Sequence, residues 1–159
     1  YGVKHIDRWL KAGTGKWDVI HFNFGLHDLK RVDPQTGKNS DDPNGPHQAE
    51  PDAYEQQLRE IVGKLKATGA KLIFATTTPV PTGGVSPHRD VEDPARYNAI
   101  ARKIMQENDV AVNDLFAFAE TRLDEIQRPV NVHFTPEGSR LLGEEVAAKI
   151  RDVFPEKSN

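Results

Sequence analysis

The chain has 159 residues, 36% of them hydrophobic, which suits one soluble globular domain with a sizeable core. Its 21 Lys and Arg against 24 Asp and Glu give a formal net charge of −3, with the cations scattered, which argues against a nucleic-acid partner. The absence of cysteine excludes a disulfide framework, a thiolate nucleophile and Cys-ligated zinc; no apolar run is long enough to span a bilayer, and Lys4, His5, Asp7 and Arg8 exclude a signal-peptide core at the start.

In chain order, Val3, Ile6 and Leu10 stand at helical spacing ahead of Gly13 and Gly15, which predicts a short helix over Val3 to Leu10. Trp17 to Gly25 is a continuous apolar run and predicts a parallel strand covered on both faces. Ile20, Phe22 and Phe24 share one face, while His21 and Asn23 lie with Val19 on the other and need polar partners. Lys30 to Glu50 is polar and broken by Pro34, Gly37, Pro43, Gly45 and Pro46, a long loop of the kind that forms a lid or rim. Asp52 to Thr68 is the clearest helix, with Tyr54, Leu58, Ile61, Val62 and Leu65 on one side and Gly69 as its stop. Ala70 to Thr78 predicts a second buried strand, and Pro79 to Asp93 a second irregular loop. Asp93-Pro94 is expected to cap and open a helix with Tyr97, Ile100, Ala101, Ile104 and Met105 inside. Val110 to Val112 is a short strand, Leu115 to Ile126 one helix, and Pro136 to about Val153 the last helix.

Strands alternating with helices specify a parallel sheet with helices on both faces, a three-layer α/β/α sandwich in a single domain over residues 1–159. Sites in such folds lie at the carboxyl ends of the strands. The turn Gly25-Leu26-His27-Asp28 and the end of the Thr76-Thr77-Thr78-Pro79 strand share that rim.

Two segments carry the chemistry. In Val132-His133-Phe134-Thr135-Pro136-Glu137-Gly138 a histidine sits just before a strongly signalled helix start, where Thr135 caps the first turn and Glu137 complements the helix dipole. Held on such a hinge, His133 can serve as a general base. The second segment is the strand ending in Gly25-Leu26-His27-Asp28. Together they resemble the fifth and third sequence blocks of the SGNH (GDSL) hydrolase family. The resemblance implies a flavodoxin-like fold and acyl transfer through a serine, with His133 as base, His27 in the place of the usual oxyanion-hole asparagine, and Gly2 as a second oxyanion donor. A neutral imidazole can donate one N–H, so His27 can fill the asparagine's role. The family's acid, three residues before the histidine, is replaced by Val130; Asn131, a backbone carbonyl or a water must then orient His133.

The block with the nucleophilic serine has no counterpart: none of Ser40, Ser86, Ser139 and Ser158 follows a Gly-Asp pair at the end of a buried strand. Ser139 shares a helix face with Leu142, Val146 and Ile150 and is expected to pack there. A chain opening at Tyr1 rather than Met reads as N-terminally incomplete, lacking about 40 residues at ordinary element lengths. The strand from Trp17 to Gly25 then has an open side, to be filled by another chain, by a further part of the same polypeptide or by pairing of two copies. The implied function is hydrolysis of short acyl esters, acetylated carbohydrates included, with the serine supplied from outside these residues; the alternative is a degenerate domain that binds a glycan or a partner protein without turnover. No cofactor and no metal is expected. Gly13-Thr14-Gly15-Lys16 lacks the earlier glycine of a phosphate loop, and no histidine pair has the i, i+4 spacing of a helical zinc site.

Overall fold

The computed structural model describes residues 1–12 and 16–153. The expected stop at Gly13 and Gly15 lies outside the described residues, as do Ser158 and all of the phosphate-loop look-alike except Lys16. In chain order the elements are α1 (Gly2–Leu10), β1 (Val19–Phe22), α2 (Pro51–Lys66), β2 (Lys71–Ala75), α3 (Asp93–Glu107), β3 (Ala111–Asn113), α4 (Leu115–Glu120), α5 (Leu123–Ile126) and α6 (Pro136–Val153). The strands are shorter than their apolar runs because only the paired residues count: Val19 stands opposite Lys71 and Phe22 opposite Phe74, then Ile73 opposite Ala111 and Ala75 opposite Asn113. Both pairings are parallel, in the order β1-β2-β3.

Residue spacing decides which helix covers which face. Tyr54, Leu58, Ile61, Val62 and Leu65 of α2 and Tyr97, Ala101, Ile104 and Met105 of α3 are buried in one cluster with Ile6, Phe22 and Phe74. Phe22 meets Phe74 edge-on, with ring centroids 5.5 Å apart, a favoured aromatic geometry. The opposite side is served by α6, which packs on β3 and on α4 and α5. There the two polar residues of the first strand segment find the partners they require. Asn113 Nδ2 donates to His21 Nε2 at 3.3 Å, and Asn23 Nδ2 donates to the Ala75 carbonyl at 2.7 Å.

Three expectations are corrected. The helix expected over Leu115 to Ile126 is two short helices, parted where Arg122 N–H bonds back to the Ala119 carbonyl and its guanidinium lies 4.4 Å over the Phe118 ring. Asp93 does not cap α3; it is the first helical residue, and its buried carboxylate accepts from His47 Nε2 at 2.7 Å. Ser139 is exposed rather than packed.

The last helix starts as the sequence proposes. Thr135 Oγ1 accepts from the Gly138 N–H at 2.9 Å and donates to the Ile126 carbonyl at 3.1 Å. Gly138 lies so close to the Ile126 backbone that a Cβ there would overlap its carbonyl oxygen, so only glycine lets α6 dock on the end of α5. Farther along, Leu141, Leu142, Val146 and Ile150 are only half-buried. The same incompleteness marks β1. Among the described residues it pairs with β2 alone, its Val19, Ile20 and His21 are half-buried, and an apolar trough of about 430 Å³ runs beside it between Ile6, Trp9, Trp17 and Phe24.

Candidate active site

The turn after β1 is fastened from below. Gly25 sits at φ +150°, a conformation that strains any residue with a side chain, and a Cβ would collide with Thr77 Oγ1. Thr77 is in turn fixed by Asn98 of α3, whose amide accepts from the Thr77 N–H and donates to its carbonyl, both at 2.8 Å, continuing the ladder where β2 runs out of strand partners. Tyr54 donates its hydroxyl to the Phe24 carbonyl at 2.9 Å, and the Asp28 N–H closes the turn on the Gly25 carbonyl at 2.7 Å. His27 is thereby presented at the carboxyl end of the sheet on a rigid support.

A cavity of about 630 Å³ opens beside the turn, with Gly2, Gly25, His27, Asp28, Lys30 and Gln57 among its lining residues. Gly2 is the first residue of α1, where backbone N–H groups lack intrahelical acceptors. It is buried because Phe24 and Ile61 press on its Cα: an added Cβ would stand 2.5 Å from Phe24 Cε1. Burial, followed by the charges of Lys30, Arg89 and His133, holds the His27 imidazole below its ordinary value, so it is the neutral ring that faces the cavity at pH 7. Burial pushes the Asp28 carboxyl the other way, upward.

His133 is exposed on the segment between α5 and α6 and is not part of the cavity wall, and it lies within electrostatic reach of His27. Gln127 Nε2, bonded to the Pro79 carbonyl at 3.1 Å, ties this segment to the end of β2. Asn131 is the orienting group. Its Oδ1 accepts the His133 backbone N–H at 2.9 Å, which fixes that atom as oxygen, and the same oxygen lies 2.7 Å from His133 Nδ1. Nδ1 must therefore carry the proton, which leaves the lone pair on Nε2, the tautomer a general base requires. Val130, where the sequence pattern calls for an acid, is exposed and sits at φ +50°, an uncommon conformation for a β-branched residue.

A family model for GDSL-like lipases and acylhydrolases matches residues 3–141. The chain belongs to that family. No curated protein matches it. Among solved structures it is similar to a lipase/acylhydrolase from Enterococcus faecalis, with TM-score 0.72 and 17% identity over 99% of this chain and 72% of that one. A mutant of an acetyl-xylooligosaccharide esterase from Geobacillus stearothermophilus aligns with TM-score 0.68 and 19% identity over 98% of this chain and 68% of that one. The acetyl xylan esterase AlAXEase aligns with TM-score 0.65 and 17% identity over 93% of this chain and 75% of that one. At these identities the likeness establishes the fold.

Within this acylhydrolase fold the two long loops form one rim. The Arg31 N–H donates to the His88 carbonyl at 2.9 Å, and the His88 N–H to the Ser40 carbonyl at 3.0 Å. Arg31 also pairs with Asp90, and His47 is held between Glu50 at 2.9 Å and Asp93 at 2.7 Å. Donor atoms of His47, Asp90 and Asp93 come within 4.8 Å of one another, the spacing of a cation site. Arg31 already neutralises Asp90 there, and the group serves as an ion network that seams the loops. None of the described serines, Ser40, Ser86 or Ser139, lines the cavity. Sequence reading placed Thr77 on the rim but missed Arg89, Lys30 and Asn98; no local motif marks them, because tertiary packing brings them there.

Acid stability should report on His21 and His27. Burial lowers His21, and burial with nearby cations lowers His27, from a starting value of 6.5. As pH falls below 6.5 the unfolded chain takes up protons that these sites resist, so stability is lost toward acid and flat above neutrality. Glu50, Asp90 and Asp114 are depressed from 4.5 and 3.8 and act in a lower window. Thermal unfolding at pH 7.5 and 5.5 should show a drop in midpoint that shrinks in His21→Gln; an undiminished drop would assign the effect elsewhere.

Proposed function

We propose that these residues form the larger part of a serine-type carboxylic ester hydrolase for short acyl esters, acetylated carbohydrates included, whose nucleophilic serine comes from outside the 159 residues. The observation that carries the reading is the Asn131–His133 arrangement, in which the Asn131 oxygen engages Nδ1 and turns Nε2 into the basic atom, together with the rigidly held turn that bears His27. Family membership and the acetyl xylan esterases among structures of the same fold support the substrate class. In this reading His133 Nε2 takes the serine proton as the oxygen attacks the ester carbonyl. N–H groups of His27 and Gly2 receive the oxyanion, and the proton passes to the departing alcohol. Water, deprotonated by the same ring, then attacks the acyl-serine; the carboxylic acid leaves and the serine regains its proton. The segment supplying the serine would also cover the open side of β1.

The test is hydrolysis of an activated acetyl ester and of acetylated xylo-oligosaccharides by these residues together with any that natively adjoin them. Turnover that survives alanine at each of Ser40, Ser86, Ser139 and Ser158 is expected. Turnover abolished by one of those four changes would place the nucleophile within the chain and overturn that part of the reading. Glycan binding without any turnover would instead establish a degenerate binding domain, the reading favoured by the absence of a serine from the cavity wall.

A further inference from the structure

Besides the tyrosines Tyr54 and Tyr97, three ionisable side chains are buried among the described residues: His47, Asp93 and Arg89. His47 and Asp93 are hydrogen-bonded to each other at 2.7 Å. Arg89, only 6% exposed, has no carboxylate partner. Its Nε donates to the Leu26 carbonyl at 3.0 Å and its Nη1 to the Pro87 carbonyl at 3.1 Å, which uses two of the five N–H groups of a guanidinium. Nη2 donates to no group of the described protein, and the Leu26 carbonyl that anchors the head belongs to the residue preceding His27. Lys30, on the cavity wall, is the second such cation. Its ammonium makes no hydrogen bond or ion pair among the described residues; the charges of Arg89 and Asp28 act on it in opposite directions, and Lys30 and Arg89 both act on His27.

Burying a guanidinium without a counter-ion is costly, and two carbonyl bonds offset only part of the cost. A loop staple needs no net charge, since an amide or hydroxyl can join two backbone groups. A planar fork with free N–H groups, hung from the carbonyl of the cavity-lining Leu26, matches a carboxylate, and the ammonium of Lys30, whose neighbour Arg31 bonds to the His88 carbonyl next to Arg89, adds attraction without competing for the same geometry. Asp28, the one acid on this wall, does not approach Lys30 or Arg89 closely enough to form an ion pair.

We infer that Arg89 and Lys30 form a carboxylate-binding subsite next to His27, and that its ligand is an acidic sugar, a uronate, adjoining the acylated position of the substrate. The carboxylate of a free acid product has the same chemistry, so the test must separate the two sources. The inference rests on the ester-hydrolase reading only for the acyl group it places next door; the anion subsite stands on its own geometry.

Binding, which requires no turnover, is the measurement. The chain is titrated with methyl β-D-glucuronide, with methyl β-D-glucoside and with sodium acetate, followed by calorimetry and by the His27 ring signals in NMR. The uronide is expected to bind about tenfold or more tighter than the glucoside and than acetate, the margin of one charge-assisted contact. That margin should weaken as salt rises from 50 to 500 mM and fall severalfold in Lys30→Met. Arg89→Gln should remove it and Arg89→Lys retain part of it; if the Arg89 variants fail to fold, Lys30→Met and the salt series decide. Equal affinity for uronide and glucoside, or no uronide binding, overturns the subsite, and acetate binding as tightly as the uronide overturns the sugar assignment. Uronide binding by a protein without esterase activity would sink the esterase reading alone, and esterase activity without uronide binding would sink this inference alone.

Discussion

Replacing His133 with alanine is expected to lower kcat/KM for an acetyl ester by about 10²–10⁴-fold, the range of a positioned general base, while leaving the unfolding midpoint within error. The second half of that expectation follows from exposure: His133 supports no core, so a loss of activity cannot be ascribed to unfolding. Asn131 sharpens the prediction, because it acts through His133 rather than on the substrate. Asn131→Ala removes the acceptor at 2.7 Å that holds the proton on Nδ1, and activity should fall by less than in His133→Ala. Asn131→Asp places a negative charge at the same point. A carboxylate favours the imidazolium, so the acid limb of the pH–rate profile should move to higher pH while the plateau rises; a merely structural asparagine would leave the limb where it was. Unchanged turnover in His133→Ala would remove the base and with it the proposed mechanism.

The largest stability effect is expected from His47→Leu. Its ring is 6% and the Asp93 carboxylate 9% exposed, and removing one side of such a buried pair leaves the Asp93 carboxylate without its partner, a loss of about 3–5 kcal/mol. For a domain of this size that is a fall of about 10 °C or more in Tm. The loop seam amplifies the loss, since His47 also holds Glu50 at the start of α2 and pairs across the loop with Arg31. The double variant His47→Leu, Asp93→Leu removes both polar partners and should recover most of the stability. If the double variant is as unstable as the single one, packing rather than charge is what the pair contributes.

The sequence foretold most of what depends on local pattern. The α2 and α3 stripes, the Thr135 cap on α6 and the need of His21 and Asn23 for partners are all written in spacing and residue type, and each appears at its expected place. Asn131 stood among the groups able to orient His133 because it is two residues away and polar. What could not be read needed distance information. The break between α4 and α5 leaves the apolar spacing intact, so periodicity passes over it. Asp93 precedes a proline at a helix start and looks like a cap, but a histidine 46 residues earlier claims its carboxylate. Arg89 lies in a loop whose path, not its sequence, delivers it to the turn at Leu26.

A chain docking on the flank of β1 that is unpaired among the described residues would make thermodynamic stability a shared quantity. Any chain that docks there binds the folded form and not the unfolded one, so each tenfold excess of free partner over its dissociation constant adds about 1.4 kcal/mol to the folding free energy. A melting temperature measured for these residues is then a reading taken at one partner concentration, zero included. Ligand-like titration of the docking chain would trace the curve on which that reading lies.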